Sequence, residues 1–317
     1  MRRLATLAIL AAVAIGTSAC QVRLPGAPGC PIFPDDSIWH ADVSKLPVDP
    51  RSSAYVAAIG ASAALKADFG SGLWDGGPIG IPYVVVGTGT PRVAVDFDYL
   101  DESDAGPYPI PPDVPIEGGA QSDGDRHVLL VDKDTCTLYE LYAAYPQDDG
   151  SWHAGSGAIW DLRSNALRPD GWTSADAAGL PILPGLVRHD EVASGAITHA
   201  IRVTVPRTQR AAVWPARHVA SSRTDASLPP MGLRLRLKAN VDISGYPPEL
   251  RVILTALKTY GMIVADNGSP WFMSGVPDEH WDNDMLRVLG QLHGSDFEVV
   301  DTSHLMVDPG SGAARAG

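Results

Sequence analysis

Basic residues are scarce in this chain. Its 317 residues include 24 lysines and arginines against 37 aspartates and glutamates, so the formal net charge at pH 7 is −13. A nucleic-acid-binding protein depends on basic patches that face phosphates. The charge balance therefore argues against nucleic acid as a partner.

The motifs of several common enzyme classes are missing. The chain contains no G-x-x-x-x-G-K-[ST], no G-x-S-x-G and no H-E-x-x-H. The Gly-x-Gly stretches at Gly70 and Gly87 do not open a helix after a strand, as a dinucleotide-binding loop would. We therefore expect no NTP and no NAD, and we predict no cofactor of another kind.

Long apolar stretches are confined to the N-terminus. Met1, Arg2 and Arg3 precede an apolar run over residues 4–16, and small residues follow that run up to Cys20. This order is typical of a secretory signal peptide, here residues 1–19. The run is too short to cross a hydrocarbon core of about 30 Å comfortably, and no later run is longer, so no transmembrane helix is expected.

The end of this leader has a second feature. Thr17-Ser18-Ala19-Cys20 resembles a bacterial lipobox, although Thr17 stands where leucine is usual. The resemblance implies that Cys20 is lipidated and anchors the protein to a membrane, on its extracellular or periplasmic side. The alternative is ordinary cleavage nearby, which would give a secreted protein with a free Cys20.

Cysteine is scarce too, with Cys20, Cys30 and Cys136 as the three in the sequence. If Cys20 is lipidated, Cys30 and Cys136 remain, and they can form a disulfide in an oxidising compartment. Such a bridge would stabilise the fold by about 4–5 kcal/mol in the chain-entropy model. Two cysteines alone are a poor zinc site, so we expect no structural metal there.

Glycine and proline are plentiful, at 32 and 27 residues, which excludes long helical bundles. Between these breakers, apolar residues alternate or cluster in short runs that predict strands. The predicted strands are 81–87, 92–100, 127–132, 136–142, 197–205, 212–216, 233–239, 262–265 and 297–300. In the strand at 233–239, Leu235 and Leu237 alternate with Arg234 and Arg236, which indicates a half-buried strand. Helical patterns cover 52–66, 247–260 and 282–292.

This order of elements predicts a mainly β protein. We expect a β-sandwich or jelly-roll-like single domain over residues 35–305, with a few peripheral short helices. A Pro/Gly-rich tether over residues 20–34 would precede this domain, and a flexible tail over 306–317 would follow it. A doubly wound α/β fold is disfavoured because strands and helices do not alternate regularly.

Several stretches after the leader carry a resemblance. They include GDRHVLLVDKDTCTLYELY, GWTSADAAGLPILPGLVRHDE, THAIRVTV, VWPARH, PPMGLRLRLKA and ALKTYGMIVADNGSPWF. These stretches resemble a family of secreted bacterial proteins, some of them lipoproteins, and the resemblance runs from Cys30 to Val300. It implies one extracellular unit and carries over no catalytic residue.

Acidic residues are the first candidates for chemistry. Five of them crowd one stretch, namely Asp96, Asp98, Asp101, Glu102 and Asp104. Paired carboxylates about 5–9.5 Å apart are the machinery of glycoside hydrolysis. Two other interpretations remain open, a solvated strand face and a calcium site near Asp96, Asp98 and Asp101.

A second acidic group follows later in the chain. Asp176 lies among small residues close to Trp172, whose ring could stack on a sugar, and Asp190 and Glu191 precede the strand that carries His199. A carboxylate near a second one, in a partly apolar site, can have its pKa raised enough to act as an acid. The alternative is that Asp176 caps a turn and that the other two are surface residues.

Histidines form a third group. His127, His199 and His218 lie on or beside predicted strands, and Arg126 and Arg217 are sequence neighbours of two of them. They could orient a substrate, bind a metal or serve a lyase in which arginine neutralises a uronate. The other interpretation is that these histidines are structural, with their ring nitrogens hydrogen-bonded inside the fold.

Together these features predict a secreted or surface-anchored carbohydrate-active enzyme. We expect a glycoside hydrolase that acts on a polysaccharide or cell-envelope glycan by paired-carboxylate chemistry. The candidate residues are, for catalysis, Asp176, Glu191, Asp190 and, in reserve, Glu117, and for substrate binding Trp172, His199, Arg217, His218, His127 and Arg126. The alternatives are a non-catalytic envelope lipoprotein that binds glycan or protein, and a polysaccharide lyase.

Overall fold

A computed structural model describes residues 23–316. Helices are few in this part of the chain. They are α1 (Ser52–Ile59), α2 (His189–Ser194), α3 (Pro248–Thr259) and α4 (Asn283–Arg287). None of the helices in residues 23–316 is long and apolar enough to cross a membrane. The predicted signal peptide and the lipidation site at Cys20 lie outside the described residues.

Strands make up most of the regular structure. They are β1 (Lys66–Asp68), β2 (Leu73–Trp74), β3 (Gly77–Pro78), β4 (Tyr83–Val86), β5 (Val95–Phe97), β6 (Val128–Asp132), β7 (Thr137–Tyr142), β8 (Tyr145–Pro146), β9 (Trp152–Ala154), β10 (Ser156–Asp161), β11 (Ile201–Val205), β12 (Arg234–Leu237), β13 (Met262–Asn267), β14 (Phe272–Ser274) and β15 (Phe297–Val299). The predicted mainly β domain with few short helices is confirmed.

The strands form two larger sheets and two small ones. The six-stranded sheet has the order β1-β14-β11-β13-β12-β15, and the four-stranded sheet has the order β10-β7-β6-β4. A three-stranded sheet has the order β5-β9-β8, and β2 pairs with β3. The pairs β1–β14, β4–β6, β5–β9 and β11–β13 are parallel, a feature that alternation of apolar residues does not specify.

The four-stranded sheet is buried on both faces. Along β6, Leu129 and Val131 join the main hydrophobic core, which also contains Val203 of β11. Val128 and Leu130 face the other way and join a second core with the three-stranded sheet. Because side chains alternate across a strand, this sheet is the middle layer of the domain.

The predicted hairpin and the predicted helix over 247–260 are confirmed. Strands β6 and β7 pair antiparallel, with Asp132 opposite Thr137 beside the turn. Pro248 opens α3, and Gly261 follows its end with a φ of 69°, a conformation that glycine adopts without strain. Helix α1 ends at Ile59, well before the predicted end at residue 66, and Gly60 follows it.

Strand β12 differs from the half-buried strand that was predicted. The alternation of leucine and arginine predicted a strand buried on one face, yet Arg234 and Arg236 are also buried, at 2% and 8% exposure. Arg234 donates a hydrogen bond of 2.6 Å to the carbonyl oxygen of Ile38. Arg236 pairs with Glu298 of the adjacent strand at 2.7 Å. Carbonyl and carboxylate partners therefore allow both guanidinium groups to be buried.

The part of the predicted tether that the structure describes, residues 23–34, contributes to the core. Leu24, Ala27 and Phe33 are almost fully buried against the rest of the domain. The predicted disulfide is present, with the Cα atoms of Cys30 and Cys136 5.2 Å apart, and it fixes this segment to the start of β7. Over residues 23–34 the predicted Pro/Gly-rich tether is therefore packed against the domain, because its apolar residues find a buried surface.

The predicted flexible tail is also paired. Ser37 and Ala313 form an antiparallel bridge, and the N–H of Ile38 donates to the carbonyl oxygen of Gly312 at 2.8 Å. The C-terminal stretch is thus ordered by backbone pairing with the start of the domain, which its small and polar residues did not indicate.

Candidate active site

An open cleft of about 400 Å³ lies beside the end of β13. Four of its lining residues carry carboxyl groups, namely Glu102, Asp125, Asp176 and Asp266. The rings of Tyr99 and Tyr142 also line it. We call it the acidic cleft.

Asp176 reaches this cleft because backbone hydrogen bonds fix its loop against the sheet. The N–H of Ala178 donates to the carbonyl oxygen of Ala265 in β13 at 2.9 Å, and the N–H of Gly179 donates to that of Asp176 at 3.0 Å. Gly179 has a φ of 68°, and a Cβ there would lie 2.5 Å from the carbonyl oxygen of Trp172. Only glycine fits this turn, so the small residues around Asp176 allow the close approach.

A bidentate ion pair with Arg202 of β11 holds Asp176. The carboxylate accepts from Nε at 2.8 Å and from Nη2 at 2.9 Å, and Nη1 of Arg202 donates to Ser274 Oγ at 2.7 Å. Asp176 and Arg202 are 1% and 4% exposed. A buried bidentate pair fixes the orientation of both groups, so Asp176 is held in one position in the cleft wall.

Asp266, in β13, is the neighbouring carboxyl group. Its Oδ2 lies 3.3 Å from Nη2 of Arg202, the same nitrogen that donates to Asp176. Burial and the negative charge of Asp176 raise the pKa of Asp266 to about 7, against the opposing effect of Arg202. Asp266 is 22% exposed at its side chain. It therefore keeps its proton well above the pH at which carboxyl groups ordinarily lose it, while its side chain still reaches the cleft.

Glu102 and His218 form a second pair in the same cleft. Nδ1 of His218 lies 2.8 Å from the carbonyl oxygen of Ala177. A carbonyl oxygen only accepts, so in the neutral ring Nδ1 carries the hydrogen and Nε2 is left as the acceptor. Nε2 is 3.9 Å from Oε2 of Glu102, and this oxygen also accepts from the N–H of Thr173 at 2.9 Å. The pair is oriented to receive a proton or to hold a water molecule.

His127 does not line the cleft but contacts the backbone of Ala175, which does. Its Nδ1 lies 2.5 Å from Oε2 of Glu117, and its Nε2 lies 3.0 Å from the carbonyl oxygen of Ala175. Burial opposes charging of the ring, but the Glu117 carboxylate outweighs that effect and raises the pKa of His127 to about 9.

The same contacts argue against a metal at this place. Glu117, Asp125 and His127 have ligand atoms within 4.8 Å of one another. A doubly protonated imidazole, however, has no lone pair to offer a metal ion. His127 and Glu117 are thus best described as an ion pair that fixes the backbone at Ala175, next to Asp176.

Glu191 does not line the acidic cleft. It is 2% exposed, and its carboxylate contacts Nε2 of His199 at 3.1 Å and Nη2 of Arg188 at 3.0 Å. Asp190 contacts Nε of the same arginine at 3.2 Å. The predicted pairing of Asp176 with Glu191 is therefore wrong, because helix α2 directs Glu191 into a separate buried ion-pair network.

Three other predicted substrate-binding residues have structural partners and lie outside the cleft lining. The guanidinium of Arg168 lies 5.3 Å from the ring centre of Trp172, and Arg217 donates to the backbone carbonyl of Arg168 at 2.9 Å. Arg126 is 2% exposed and donates to the carbonyl oxygen of Ala144 at 3.1 Å. Of the predicted substrate-binding histidines, the cleft lining includes His218.

The residues of the predicted calcium site are not gathered around one point. The ring of His153 lies between two of them, with Nδ1 3.4 Å from Asp96 and Nε2 3.3 Å from Asp98. Asp101 is exposed in a short 3-10 turn, Leu100–Glu102. Since the two carboxylates contact opposite nitrogens of one ring, they do not share a cation in this arrangement.

Sequence reasoning missed Asp266 altogether. In the sequence it follows the predicted strand 262–265 and begins an Asp-Asn-Gly-Ser stretch, which predicts an ordinary turn. The usable signal was the carboxyl residue at the end of a buried strand, since such positions open onto the edge of a sheet. Glu102 belongs to an acidic run, and the sequence does not distinguish it from the exposed members of that run.

Comparison with known proteins finds no matching family model, no matching curated protein and no matching solved structure. What the site can do chemically is therefore inferred from its own geometry. It combines a carboxyl group with a raised pKa, a second carboxyl group fixed by an arginine next to it and an oriented glutamate–histidine pair in one open cleft. This combination is suited to acid–base catalysis.

Proposed function

We propose that this protein is a hydrolase that cleaves a neutral glycan in the acidic cleft. The observation that carries the proposal is the relationship between Asp266 and Asp176. One guanidinium nitrogen contacts both carboxyl groups, and burial together with the nearby Asp176 raises the pKa of Asp266. A carboxyl group whose pKa is raised in this way can act as the general acid of glycoside hydrolysis.

Asp266 is the proposed proton donor. With a pKa of about 7 it is roughly half protonated at neutral pH, where ordinary aspartates are ionised. The protonated form can transfer its proton to the glycosidic oxygen as the bond to the sugar breaks. Asp176 does not touch the substrate in this scheme. Its oxygens are already engaged by Arg202, so its role is to keep Asp266 protonated and to hold it in place.

Glu102 is the proposed second carboxyl group of the reaction. Its side chain is 36% exposed, so its free oxygen is accessible from the cleft. Together with Nε2 of His218 it can orient a water molecule and accept the proton that this water loses when it attacks the sugar.

The charge of the cleft favours a neutral substrate. Asp176 is paired with Arg202 and Asp266 has a raised pKa, which leaves Glu102 and Asp125 as the other acidic side chains of the cleft. Among the described residues that line it, His218 is the one that can be cationic. A uronate would be repelled by this field, which makes the lyase alternative less favoured than hydrolysis. The rings of Tyr99 and Tyr142 offer apolar faces on which a sugar ring can pack.

The test is release of reducing ends from a panel of neutral bacterial and plant polysaccharides. We expect the protein to cleave at least one of them and Asp266→Asn to lower the rate by about 10²–10⁴-fold, the usual contribution of a general acid. Asp96→Asn, which changes an exposed carboxylate outside the cleft, is the matched control and keeps the activity.

The non-catalytic alternative gives a different result. Saturable binding of one glycan by the folded protein, with no reducing ends released, would replace the hydrolase by a glycan-binding protein. Loss of activity in Asp96→Asn equal to that in Asp266→Asn would remove Asp266 from the proposed role.

A further inference from the structure

A second group of polar side chains lies outside the acidic cleft. His189, Asp278 and His280 have ligand atoms that all fall within 4.8 Å of one another. They come from two segments that a parallel bridge between Val187 and Gly275 brings side by side. The first residue of α2 thus meets the loop after β14.

The two imidazole rings lie close together. Their centroids are 5.2 Å apart and their planes are inclined by 23°. Oδ1 of Asp278 lies 2.6 Å from Nδ1 of His280 and also accepts the backbone N–H of that residue at 2.9 Å. This hydrogen bond keeps the carboxylate beside the second imidazole, and a metal ion bound by both would displace the proton between them. Unlike His127, which is 1% exposed, His280 is open to solvent and can release that proton.

A buried tryptophan fixes the third member. The ring of Trp281, 3% exposed, meets the ring of His189 edge-on at 4.9 Å. Its Nε1 donates to the carbonyl oxygen of Val276 at 3.0 Å, which anchors the loop that carries Asp278 and His280. Support of this kind limits the reorganisation that a metal would require of its ligands.

We propose that His189, Asp278 and His280 bind one divalent transition-metal ion, for which zinc is the natural candidate. Two imidazole nitrogens and one carboxylate oxygen suit Zn²⁺, Cu²⁺ or Ni²⁺, whereas Ca²⁺ and Mg²⁺ prefer sites made of oxygen alone. Three protein ligands leave a position of a tetrahedron for water or another ligand. The His280 side chain is 66% exposed, so this position is accessible from solvent.

The surrounding charges are compatible with a cation. The nearest guanidinium in sequence is that of Arg188, but it is turned inward and paired with Asp190 and Glu191. Asp278 supplies one negative charge to the site itself. A divalent ion therefore meets a partner of opposite charge there, and the neighbouring arginine is already neutralised.

The experiment is a titration of the metal-free protein with Zn²⁺ by calorimetry, followed by Co²⁺ with detection of its visible absorption. Cys20→Ser is introduced throughout, because Cys20 is the one cysteine of the sequence outside the disulfide. We expect one equivalent of Zn²⁺ to bind and His189→Ala or His280→Ala to weaken binding by more than about tenfold. Bound Co²⁺ is expected to show tetrahedral absorption bands that both variants lose.

The matched control is His153→Ala, which removes another histidine flanked by carboxylates, Asp96 and Asp98. Those two carboxylates contact opposite ring nitrogens, so we expect this variant to bind zinc like the parent. Unchanged circular dichroism of the metal-free variants confirms that they are folded. Absence of saturable binding, or equal binding by the parent and the His280→Ala variant, would overturn the proposal.

Discussion

Arg202 donates two hydrogen bonds to the carboxylate of Asp176, over 2.8 and 2.9 Å, in a place where both side chains are almost fully buried. Breaking such a pair is costly because the remaining charge loses its partner without regaining water. The same pair links a loop of small residues to the central strand β11, and it sets the charge that Asp266 meets in the cleft.

Removal of the arginine should therefore destabilise the fold strongly. We expect Arg202→Met to lower the free energy of unfolding by about 3–5 kcal/mol, since it leaves Asp176 buried and unpaired. Urea unfolding of the parent and the variant measures this difference. The double variant Arg202→Met, Asp176→Leu removes both charges and should recover part of the loss. A single variant as stable as the parent would contradict the role assigned to the pair.

The pH dependence of activity should report the protonation of Asp266. As the acid, Asp266 acts in its protonated form, so activity is expected to fall as the pH rises through about 7. Asp176→Asn removes a negative charge that raises this pKa, and the alkaline limb should move to lower pH. The pH profile of kcat/KM on the glycan found above measures the shift, with Asp96→Asn as the unshifted control. A limb that does not move would show that Asp176 has no electrostatic role.

A second pH effect concerns stability. Glu117 raises the pKa of His127 from the ordinary 6.5 to about 9, so the folded state holds a proton that the unfolded state has released. The stabilisation is complete below about pH 6.5 and is lost as the pH rises towards 9. Glu117→Gln should therefore flatten the decline of unfolding free energy between pH 6.5 and 9.

Chemical denaturation at several pH values across this window measures the effect. Asp96→Asn, next to the partly exposed His153, is the control and should keep the parent profile. A parent protein whose stability is constant from pH 6.5 to 9 would rule out the proposed ion pair as a titrating group.

Much of the fold could be predicted from the sequence, for local reasons. The hairpin of β6 and β7 and helix α3 have clear periodicity and punctuation by turn residues, which depend on the chain nearby. The bridge between Cys30 and Cys136 followed from a cysteine count. The buried arginines of β12 could not be predicted, because their partners, such as Ile38 and Glu298, lie far away in the chain.

The site was only half predictable for the same reason. Asp176 was found through its small neighbours, which is a local signal that a close approach requires. Its partners Arg202 and Asp266 come from β11 and β13, and only the parallel pairing of those strands brings them together. The position of Glu191 could not be predicted, because the sequence gives no information about which distant residues α2 packs against.

A measurement of the protonation state of Asp266 tests its proposed role as the proton donor most directly. Carbon-13 NMR of the aspartate side-chain carboxyl groups, with the Asp266 signal assigned by its loss in Asp266→Asn, follows the titration without any substrate. A midpoint at about 7 is expected. A midpoint near the ordinary value of about 3.9 would leave Asp266 ionised at neutral pH and would contradict its role as the proton donor.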